Sequence, residues 1–218
     1  MFSELSTFQL LTVAILPTLF AIVAHEVSHG WVALRLGDNT AYAAGRLTLN
    51  PLKHIDLIGT IVVPAILLLT VGFAFGWAKP VPINWRNLHH PKRDIALVAA
   101  AGPAANLLMA IIWALLAKAG SLLPPELFIR TPLIYMGLFG ILINTVLMVF
   151  NLVPIPPTDG GRILTSLLPP RIAYSVSKIE PYGMFILIGL MLTGILWKTI
   201  GPVITGVMMI IQSLFGLG

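Results

Sequence analysis

The sequence contains no cysteine and few charged residues. Without cysteine the chain can form neither disulfides nor thiolate metal ligands, so a metal would have to be bound by histidine, aspartate or glutamate. Charged residues make up only 10% of the 218 residues, whereas a soluble domain carries about a quarter. Hydrophobic residues account for 57% of the chain, and its mean hydropathy is +0.94. This composition excludes an ordinary soluble domain and predicts an integral membrane protein.

The chain is also short of acidic residues, which leaves a formal net charge of +5. In a soluble protein such a balance could indicate nucleic-acid binding. Here the basic residues lie in short loops between apolar runs, which is typical of chains oriented by their charge against a membrane. We therefore expect a multi-pass protein of the cell (cytoplasmic) membrane, with the lipid bilayer and no nucleic acid as a partner.

Six apolar runs divide the chain, at 7–36, 57–77, 95–116, 133–153, 184–197 and 203–217. They predict an all-α polytopic membrane protein of about five to six apolar segments. The last two runs, separated by Lys198 and Gly201-Pro202, fit either two short spans or one kinked helix with an interfacial tail. The segment 171–180 is predicted to be a loop. We expect one membrane domain over 1–218, with a catalytic core at about 7–168 and C-terminal apolar segments at about 182–217.

The first apolar run contains the pattern H-E-x-x-H at positions 25–29. Residues i and i+4 lie on the same face of a helix, so His25 and His29 can direct two imidazoles at one metal ion. Glu26 lies about a hundred degrees round the same turn, as a general base acting on a metal-bound water would. Three ionisable side chains within five residues of a membrane helix indicate a functional site. The pattern therefore predicts a zinc centre; the alternative is two histidines satisfied by helix packing.

A catalytic zinc site usually has a third protein ligand. Most remaining acidic and histidine residues lie in charge-rich loops, whereas Asp159 ends an apolar run in a turn that is rich in proline and glycine. Irregular backbone at membrane depth is tolerated only where it is buried in protein or lines a wet cavity. We take Asp159 as the third ligand. Two alternatives stay open: Asp159 could cap a helix that begins at Gly160, or pair with Arg162.

The run 57–77 is predicted to enter the membrane and return on the same side. If Asp159 meets the two histidines, an even number of crossings must separate them, and this run is the weakest of the three between them because it carries Pro64 and three glycines. Lys and Arg counts agree with this prediction. If the N-terminus is outside and the run is re-entrant, 10 basic loop residues lie inside the cell and 2 lie outside. If every run crosses, 5 lie inside and 7 lie outside. The first distribution obeys the positive-inside rule and places the zinc site toward the cytoplasmic face.

Three segments resemble the site-2 protease family of intramembrane zinc metalloproteases, in the family's order. They are His25-Glu26-Val27-Ser28-His29, Gly102-Pro103-Ala104-Ala105-Asn106 and Phe150-Asn151-Leu152-Val153-Pro154-Ile155-Pro156-Pro157-Thr158-Asp159-Gly160-Gly161. The segment 76–82 resembles a further stretch of short bacterial and archaeal members, which have neither a PDZ nor a CBS domain. Thr158 departs from the pattern, since leucine is more usual before the aspartate.

The resemblance implies an all-α membrane fold with short extended pieces near the active site, and regulated intramembrane proteolysis of a transmembrane protein substrate. It implies one catalytic Zn²⁺ held by His25, His29 and Asp159, with Glu26 as catalytic base acting on a zinc-bound water. Asn151 is then a candidate donor to the oxyanion, against the alternative of an interhelical hydrogen bond. The same alternative applies to Asn106.

By the same resemblance, the segments Gly45 to Asn50 and Lys79 to Asn84 could present strand edges to an unwound substrate, although the second could equally be a structural turn. Because no regulatory domain is expected, substrate selection would come from the membrane region, from a homo-oligomer or from a regulatory membrane partner. Two other functions stay open: a metal transporter or channel, which would need several metal sites, and an inactive scaffold, which would not need Glu26.

Overall fold

The computed structural model describes residues 2, 4–71, 76 and 78–217. Most of these residues are helical, and there is no β-strand among them. The all-α prediction is therefore confirmed. The two segments predicted as extended pieces, 45–50 and 79–84, have irregular backbone and do not pair as strands.

Four of the helices are long and apolar enough to cross a membrane. The described α-helices are α1 (Thr7–Arg35), α2 (Thr40–Ala43), α3 (Val63–Val71), α4 (Pro91–Ser121), α5 (Arg130–Asn151), α6 (Asp159–Leu167), α7 (Pro170–Ser177), α8 (Glu180–Leu192) and α9 (Ile195–Leu214). Within the described residues, α1, α4, α5 and α9 are the four candidate spans; α7 and α8, bent by 63° at their junction, would be a fifth if they form one broken span. The protein is a polytopic membrane protein.

Helix α1 begins close to where the apolar run predicts, because local sequence caps it. The Ser6 hydroxyl accepts a hydrogen bond from the Gln9 amide, and the Gln9 side chain accepts one from the Ser6 amide. The helix has 29 residues, which corresponds to about 44 Å and exceeds a hydrocarbon core of about 30 Å. Gly37, at φ +111°, ends it. The two histidines lie within about 15 Å of Arg35, so they are nearer the C-terminal end of the helix than its middle.

The run 57–77 forms a short helix in its described part. A π-helix at Leu57–Val62 continues into α3. Together they have 15 residues, or about 22 Å, less than the hydrocarbon thickness. Most of the rest of the run, 72–75 and 77, lies outside the described residues. A re-entrant path for this run stays a prediction.

Topology can be tested by cysteine labelling, because the chain has no cysteine of its own. Arg86 and Glu126 are both exposed and lie before and after α4. We expect Arg86→Cys to react with a membrane-impermeant maleimide only from the cytoplasmic side, and Glu126→Cys only from the opposite side. Labelling of Arg86→Cys only from outside and of Glu126→Cys only from the cytoplasmic side would contradict the re-entrant arrangement.

Two features of the C-terminal third differ from the sequence prediction. The segment 171–180 was predicted to be a loop, which is wrong: α7 covers most of it, with Pro170 at the first helical position, where its fixed φ is favourable. The break between the last two runs is at Gly194, whose φ of 73° is the left-handed region, and not at Lys198 or Gly201-Pro202. Helix α9 continues through Pro202.

The core forms where α4 packs against both α1 and α5. Small residues permit the close approach of α4 and α5: a Cβ atom added at Gly137 would lie 2.5 Å from the Cβ atom of Ala117. Helices α8 and α9 pack on the C-terminal half of α5 through a buried cluster: Met148, Val149, Val153, Leu187, Met191, Leu196, Ile200, Ile204. This packing holds the end of α5, and the turn that follows it, against the other helices.

Asp38 ties the end of α1 to the segment before α4. Its buried carboxylate accepts hydrogen bonds from the Thr40 amide and hydroxyl, from the Asn84 amide at 2.8 Å and from the Asn87 side chain at 2.9 Å. Burial by itself raises the pKa of Asp38, but these hydrogen bonds from Thr40, Asn84 and Asn87 outweigh it and hold the pKa below its ordinary value. Asp38 is therefore an anchor of the loop and not a metal ligand.

Replacing Asp38 by Asn should destabilise the protein by about 2 kcal/mol at neutral pH, because charge-assisted hydrogen bonds are lost and an amide then faces donors. A group whose folded-state pKa is lowered adds stability that is complete above its unfolded pKa, about 3.9 for aspartate, and is lost as pH falls through the folded value. The difference in melting temperature between wild type and Asp38→Asn should therefore shrink below about pH 4. A difference that is constant to pH 3 would contradict this.

Candidate active site

Three side chains from two distant parts of the chain converge beside α4. The Nε2 atoms of His25 and His29 lie 3.1 Å apart. One carboxylate oxygen of Asp159 is 3.2 Å from His25 Nε2, and the other is 3.4 Å from His29 Nε2. All three side chains are largely buried. Among the described residues, this is the one group of three histidine or acidic side chains whose ligand atoms all lie within 4.8 Å of one another.

The spacing of these donor atoms fits a zinc ion. Tetrahedral zinc with bonds of about 2.0–2.1 Å requires ligand atoms about 3.3–3.4 Å apart. The two imidazole nitrogens lie 3.1 Å apart, and each lies 3.2 or 3.4 Å from a different oxygen of Asp159, so small shifts would bring one oxygen and both nitrogens onto one ion. Oδ2 of Asp159 is buried without a hydrogen-bond partner. A buried, unpaired carboxylate oxygen is costly, and coordination to a cation would satisfy it. Three ligands leave a fourth position for water or substrate, as in catalytic zinc sites.

Asp159 is the first residue of α6, where neither alternative from the sequence applies. Thr158, not Asp159, caps the helix: its hydroxyl accepts the Gly161 amide at 3.2 Å. Arg162 pairs with Glu180, at 3.1 Å, and not with Asp159. The carboxylate therefore faces the two histidines, with one oxygen toward each imidazole.

The imidazole of His25 is oriented by Asn106 of α4. Nδ1 of His25 donates to Oδ1 of Asn106 at 2.6 Å. The Asn106 amide group donates to the Ala21 carbonyl at 3.1 Å and to Oδ1 of Asn144 at 3.0 Å. Because a backbone carbonyl can only accept, these contacts assign the oxygen of Asn106 to His25. His25 is therefore protonated at Nδ1, and Nε2 offers a lone pair to a metal.

The imidazole of His29 is oriented in the same way, by a backbone carbonyl. Its Nδ1 donates to the Val98 carbonyl of α4 at 2.7 Å, which leaves its Nε2 lone pair free for a metal as well. Gly102 is the residue of α4 that faces the imidazole rings of both His25 and His29. A Cβ atom at this position would lie 2.5 Å from His29 Nε2 and 2.6 Å from His25 Nε2. Gly102 therefore leaves open the space that a bound ion and its ligands require.

Glu26 is held by the segment before α4. Its Oε2 accepts a hydrogen bond from the Val81 amide at 2.9 Å. The carboxylate is partly buried, one residue from His25 on the helix that also carries His29. Glu26 is therefore a carboxylate next to the candidate metal ligands, with one oxygen held by a backbone donor. Such a carboxylate is suited to act as a general base.

Asn151, the candidate oxyanion donor, is the last residue of α5. Its side-chain amide donates to the Leu147 carbonyl, within its own helix, at 2.9 Å. Neither an interhelical hydrogen bond nor a contact with the three converging side chains is present for it among the described contacts. An oxyanion role for Asn151 stays a prediction.

Three other histidine and acidic residues, Asp56, Asp94 and His54, have structural partners. Asp56 accepts the Gly59 amide at 2.6 Å, and Asp94 accepts the His90 amide at 2.7 Å, each at a helix start. His54 is buried and donates to the Thr48 carbonyl at 2.9 Å. The structure thus uses these side chains for caps and turns.

Sequence reasoning missed two contributions of α4. Asn106 was expected to form an interhelical hydrogen bond, which it does with Ala21 and Asn144, but its bond to His25 was not predicted. The closeness of Gly102 to the histidines was also missed. The available signal was the i, i+4 spacing of Gly102 and Asn106, which places them on one face of α4.

Comparisons with known proteins identify the family to which the chain is similar. The family model of Peptidase family M50 matches residues 126–194, a stretch that includes Asp159. "Putative zinc metalloprotease YwhC" of Bacillus subtilis (strain 168) is 35% identical over 207 residues, which cover 92% of this chain and 91% of that protein. No solved structure matches the chain at a significant level.

Two mycobacterial proteins called Rip2, with the same description as a zinc metalloprotease, are more distant. The one from Mycolicibacterium smegmatis is 29% identical over 176 residues, covering 80% of this chain and 64% of that protein. The one from Mycobacterium tuberculosis (strain H37Rv) is 28% identical over 174 residues, with the same shares. With a relative 35% identical across nearly its whole length, the chain belongs to peptidase family M50, the site-2 protease family, and is a membrane-embedded zinc metalloendopeptidase.

Proposed function

We propose that this enzyme hydrolyses a peptide bond within or next to a transmembrane segment of a membrane-protein substrate. The observation that supports this is the position of His25, His29 and Asp159: they converge, largely buried, among apolar helices long enough to cross a membrane. A substrate that reaches this site has to come from the bilayer or its edge. The proposed location is the cell membrane, with the site toward the cytoplasmic face and the catalytic core and C-terminal helices forming a single domain.

The proposed metal ligands are His25, His29 and Asp159. Zinc, when bound there, lowers the pKa of a coordinated water and polarises the scissile carbonyl. The chain's own residues supply the rest. Glu26 takes the proton of the attacking water through its free oxygen and then delivers it to the leaving amine. Asn106 and the Val98 carbonyl keep the two imidazoles in the tautomer that faces the ion.

Asn151 is proposed as the oxyanion donor. Its amide would have to rotate away from the Leu147 carbonyl when substrate is present, and its place at the end of α5 in the turn toward Asp159 supports that role. Substrate capture is proposed at the segment 45–50. A transmembrane helix satisfies its own amides, so it must be unwound before attack, and an extended segment can bind the opened backbone.

Two other functional classes make different predictions. A metal transporter would need several sites along a path, yet the described residues contain one cluster of metal-binding side chains. An inactive scaffold would have no use for a carboxylate beside the metal ligands, whereas Glu26 is present and hydrogen-bonded. Both observations favour proteolysis.

The test is cleavage by purified protein in lipid nanodiscs, with a panel of single-span membrane proteins as substrates. We expect one or more to be cut at a site in or next to the span, cleavage to stop with a zinc chelator, and activity to return with added zinc. Zinc flux into proteoliposomes without cleavage would support a transporter. Stable binding of substrates without cleavage by zinc-loaded protein would support a scaffold. Cleavage confined to soluble peptides would overturn the intramembrane proposal.

A further inference from the structure

The backbone amide of Val81 is the hydrogen-bond donor to Glu26. It lies 2.9 Å from Oε2 of Glu26, although the two residues are 55 positions apart in the chain. The Val81 side chain is buried, with 6% of its surface exposed. A hydrogen bond between a carboxylate and a backbone donor is charge-assisted and stronger than a neutral one. The segment around Val81 is therefore part of the surroundings of Glu26.

Two prolines make this donor unique within its segment. Val81 lies between Pro80 and Pro82, which have no N–H group and whose φ angles are fixed by their rings. The stretch 80–82 thus offers one backbone N–H, and that N–H is bound to Glu26. A strand edge that binds a substrate backbone needs donors as well as acceptors. This stretch is poorly suited to be such an edge, contrary to what the sequence suggested for Lys79 to Asn84.

The segment is anchored on both sides of Val81. On one side, the Lys79 amide donates to the His54 carbonyl at 2.9 Å, and the Arg46 guanidinium donates to the Lys79 carbonyl, also at 2.9 Å. On the other side, the Asn84 amide donates to Asp38 at 2.8 Å. These anchors limit how far the Val81 amide can move from Glu26.

Gly30 is the point at which α1 contacts the segment. A Cβ atom at Gly30 would lie 2.8 Å from Cγ1 of Val81 and 2.5 Å from Cδ2 of Leu47. The absence of a side chain at Gly30 lets Val81 approach the helix closely enough for its amide to reach Glu26. This contact is independent of the anchors at Lys79 and Asn84.

We propose that the Val81 amide, within Pro80-Val81-Pro82, is a positioning group that orients the Glu26 carboxylate for proton transfer. The inference rests on the proposed role of Glu26 as general base. One carboxylate oxygen is held by the amide, so the other is directed to the attacking water. A free glutamate side chain would lose rotamer entropy at each turnover, and a fixed one avoids that cost.

The direct test removes the N–H group alone. Suppressor-tRNA translation with α-hydroxyvaline at position 81 replaces the amide by an ester and keeps the valine side chain. We expect kcat to fall about 10- to 100-fold, with KM and zinc content unchanged, since only the alignment of the base is altered. The matched control is the protein made by the same suppression with valine. A second control is Glu26→Gln: if it still cleaves, the proposed general base itself is wrong, whereas an inactive Glu26→Gln with a fully active ester overturns only this inference.

A second variant reaches the same contact by ordinary mutagenesis. Gly30→Ala should push Val81 away from α1 and lower kcat in the same way. Its matched control is Gly206→Ala in α9, also a glycine in a helix, where an added Cβ atom meets nothing within 4 Å. A kcat for Gly30→Ala equal to that of Gly206→Ala would overturn the proposal. So would a rise in KM alone, which would indicate a substrate-binding edge, or a proportional loss of zinc, which would indicate a structural role.

Hydrogen exchange provides a readout that needs no substrate. In a peptide covering 79–84, the two prolines leave only the amides of Lys79, Val81, Ile83 and Asn84 to exchange. Glu26→Ala removes the hydrogen-bond acceptor of the Val81 amide and of no other amide in this peptide. We therefore expect one amide of the peptide to exchange faster than in wild type. Unchanged exchange of all four would overturn the proposal.

Discussion

Replacing Glu26 by Gln is expected to leave zinc bound and to reduce cleavage about 10²- to 10⁴-fold, the usual contribution of a general base. Glutamine has the same shape and keeps an oxygen that can accept the Val81 amide, so the segment around Val81 should stay in place. What is lost is the ability to take a proton from water. The measurements are the cleavage rate of a single-span substrate and the zinc content by mass spectrometry.

The control for Glu26→Gln is a variant that removes a metal ligand. Asp159→Asn should lose both zinc and activity, whereas Glu26→Gln should lose activity only. Retained cleavage by zinc-loaded Glu26→Gln protein would rule Glu26 out as the base. The same inactive, zinc-loaded variant can retain bound substrates, and identifying what co-purifies with it would give the substrate that the sequence and fold do not name.

The second large effect is expected from Gly102→Ala, which adds a single methyl group on α4. The new Cβ atom would lie 2.5 Å from Cε1 of His25 and from Nε2 of His29, closer than non-bonded atoms approach. Both rings would have to move, and the donor atoms would no longer be spaced for a tetrahedral ion. We expect zinc affinity to fall about 10- to 100-fold, with a corresponding loss of cleavage, which is the usual cost when the orientation of metal ligands is disturbed.

Stability separates this effect from misfolding. Alanine is a better helix former than glycine by about 1 kcal/mol, which offsets part of the roughly 1–3 kcal/mol that displacing the two packed rings costs, so the apo form of Gly102→Ala should still unfold cooperatively and melt only slightly below the wild-type apo protein. Gly206→Ala, in open space on α9, should bind zinc normally. Zinc competition against a chelator of known affinity, together with melting temperatures of the apo proteins, measures both quantities. Wild-type zinc affinity in Gly102→Ala would mean that the ion does not lie between the two histidines and α4.

Local sequence predicted the elements whose physics is local. Composition was enough for the membrane class, and the apolar run 7–36 predicted α1 to within one residue because its capping signal at Ser6 and its stop at Gly37 are both nearby in the chain. The pairing of His25 and His29 follows from the helical period alone. Asp159 could be chosen because few acidic residues lie next to apolar runs, although the sequence left its capping alternative open.

Two elements of the C-terminal third were predicted less well. The helix Pro170–Ser177 was taken for a loop because its polar residues conceal a short amphipathic helix, and the bend near the C-terminus was placed at Gly201-Pro202 although Gly194 adopts the left-handed conformation. A proline inside a long apolar helix can be tolerated when neighbouring helices support it. The sequence offers several glycines and prolines near this bend, and their positions alone do not show which of them leaves the helical conformation.

By itself, the sequence determined a polytopic helical protein with two histidines and a glutamate on one turn of its first helix. Only the tertiary structure decided what surrounds them: Asn106 on His25, Gly102 against both rings and the Val81 amide on Glu26. The physical reason is range. Helix periodicity and capping act over about four residues. The contact between Glu26 and Val81 spans 55 positions of the chain, and that between His25 and Asn106 spans 81. These residues come together only when α4 and the segment before it pack on α1.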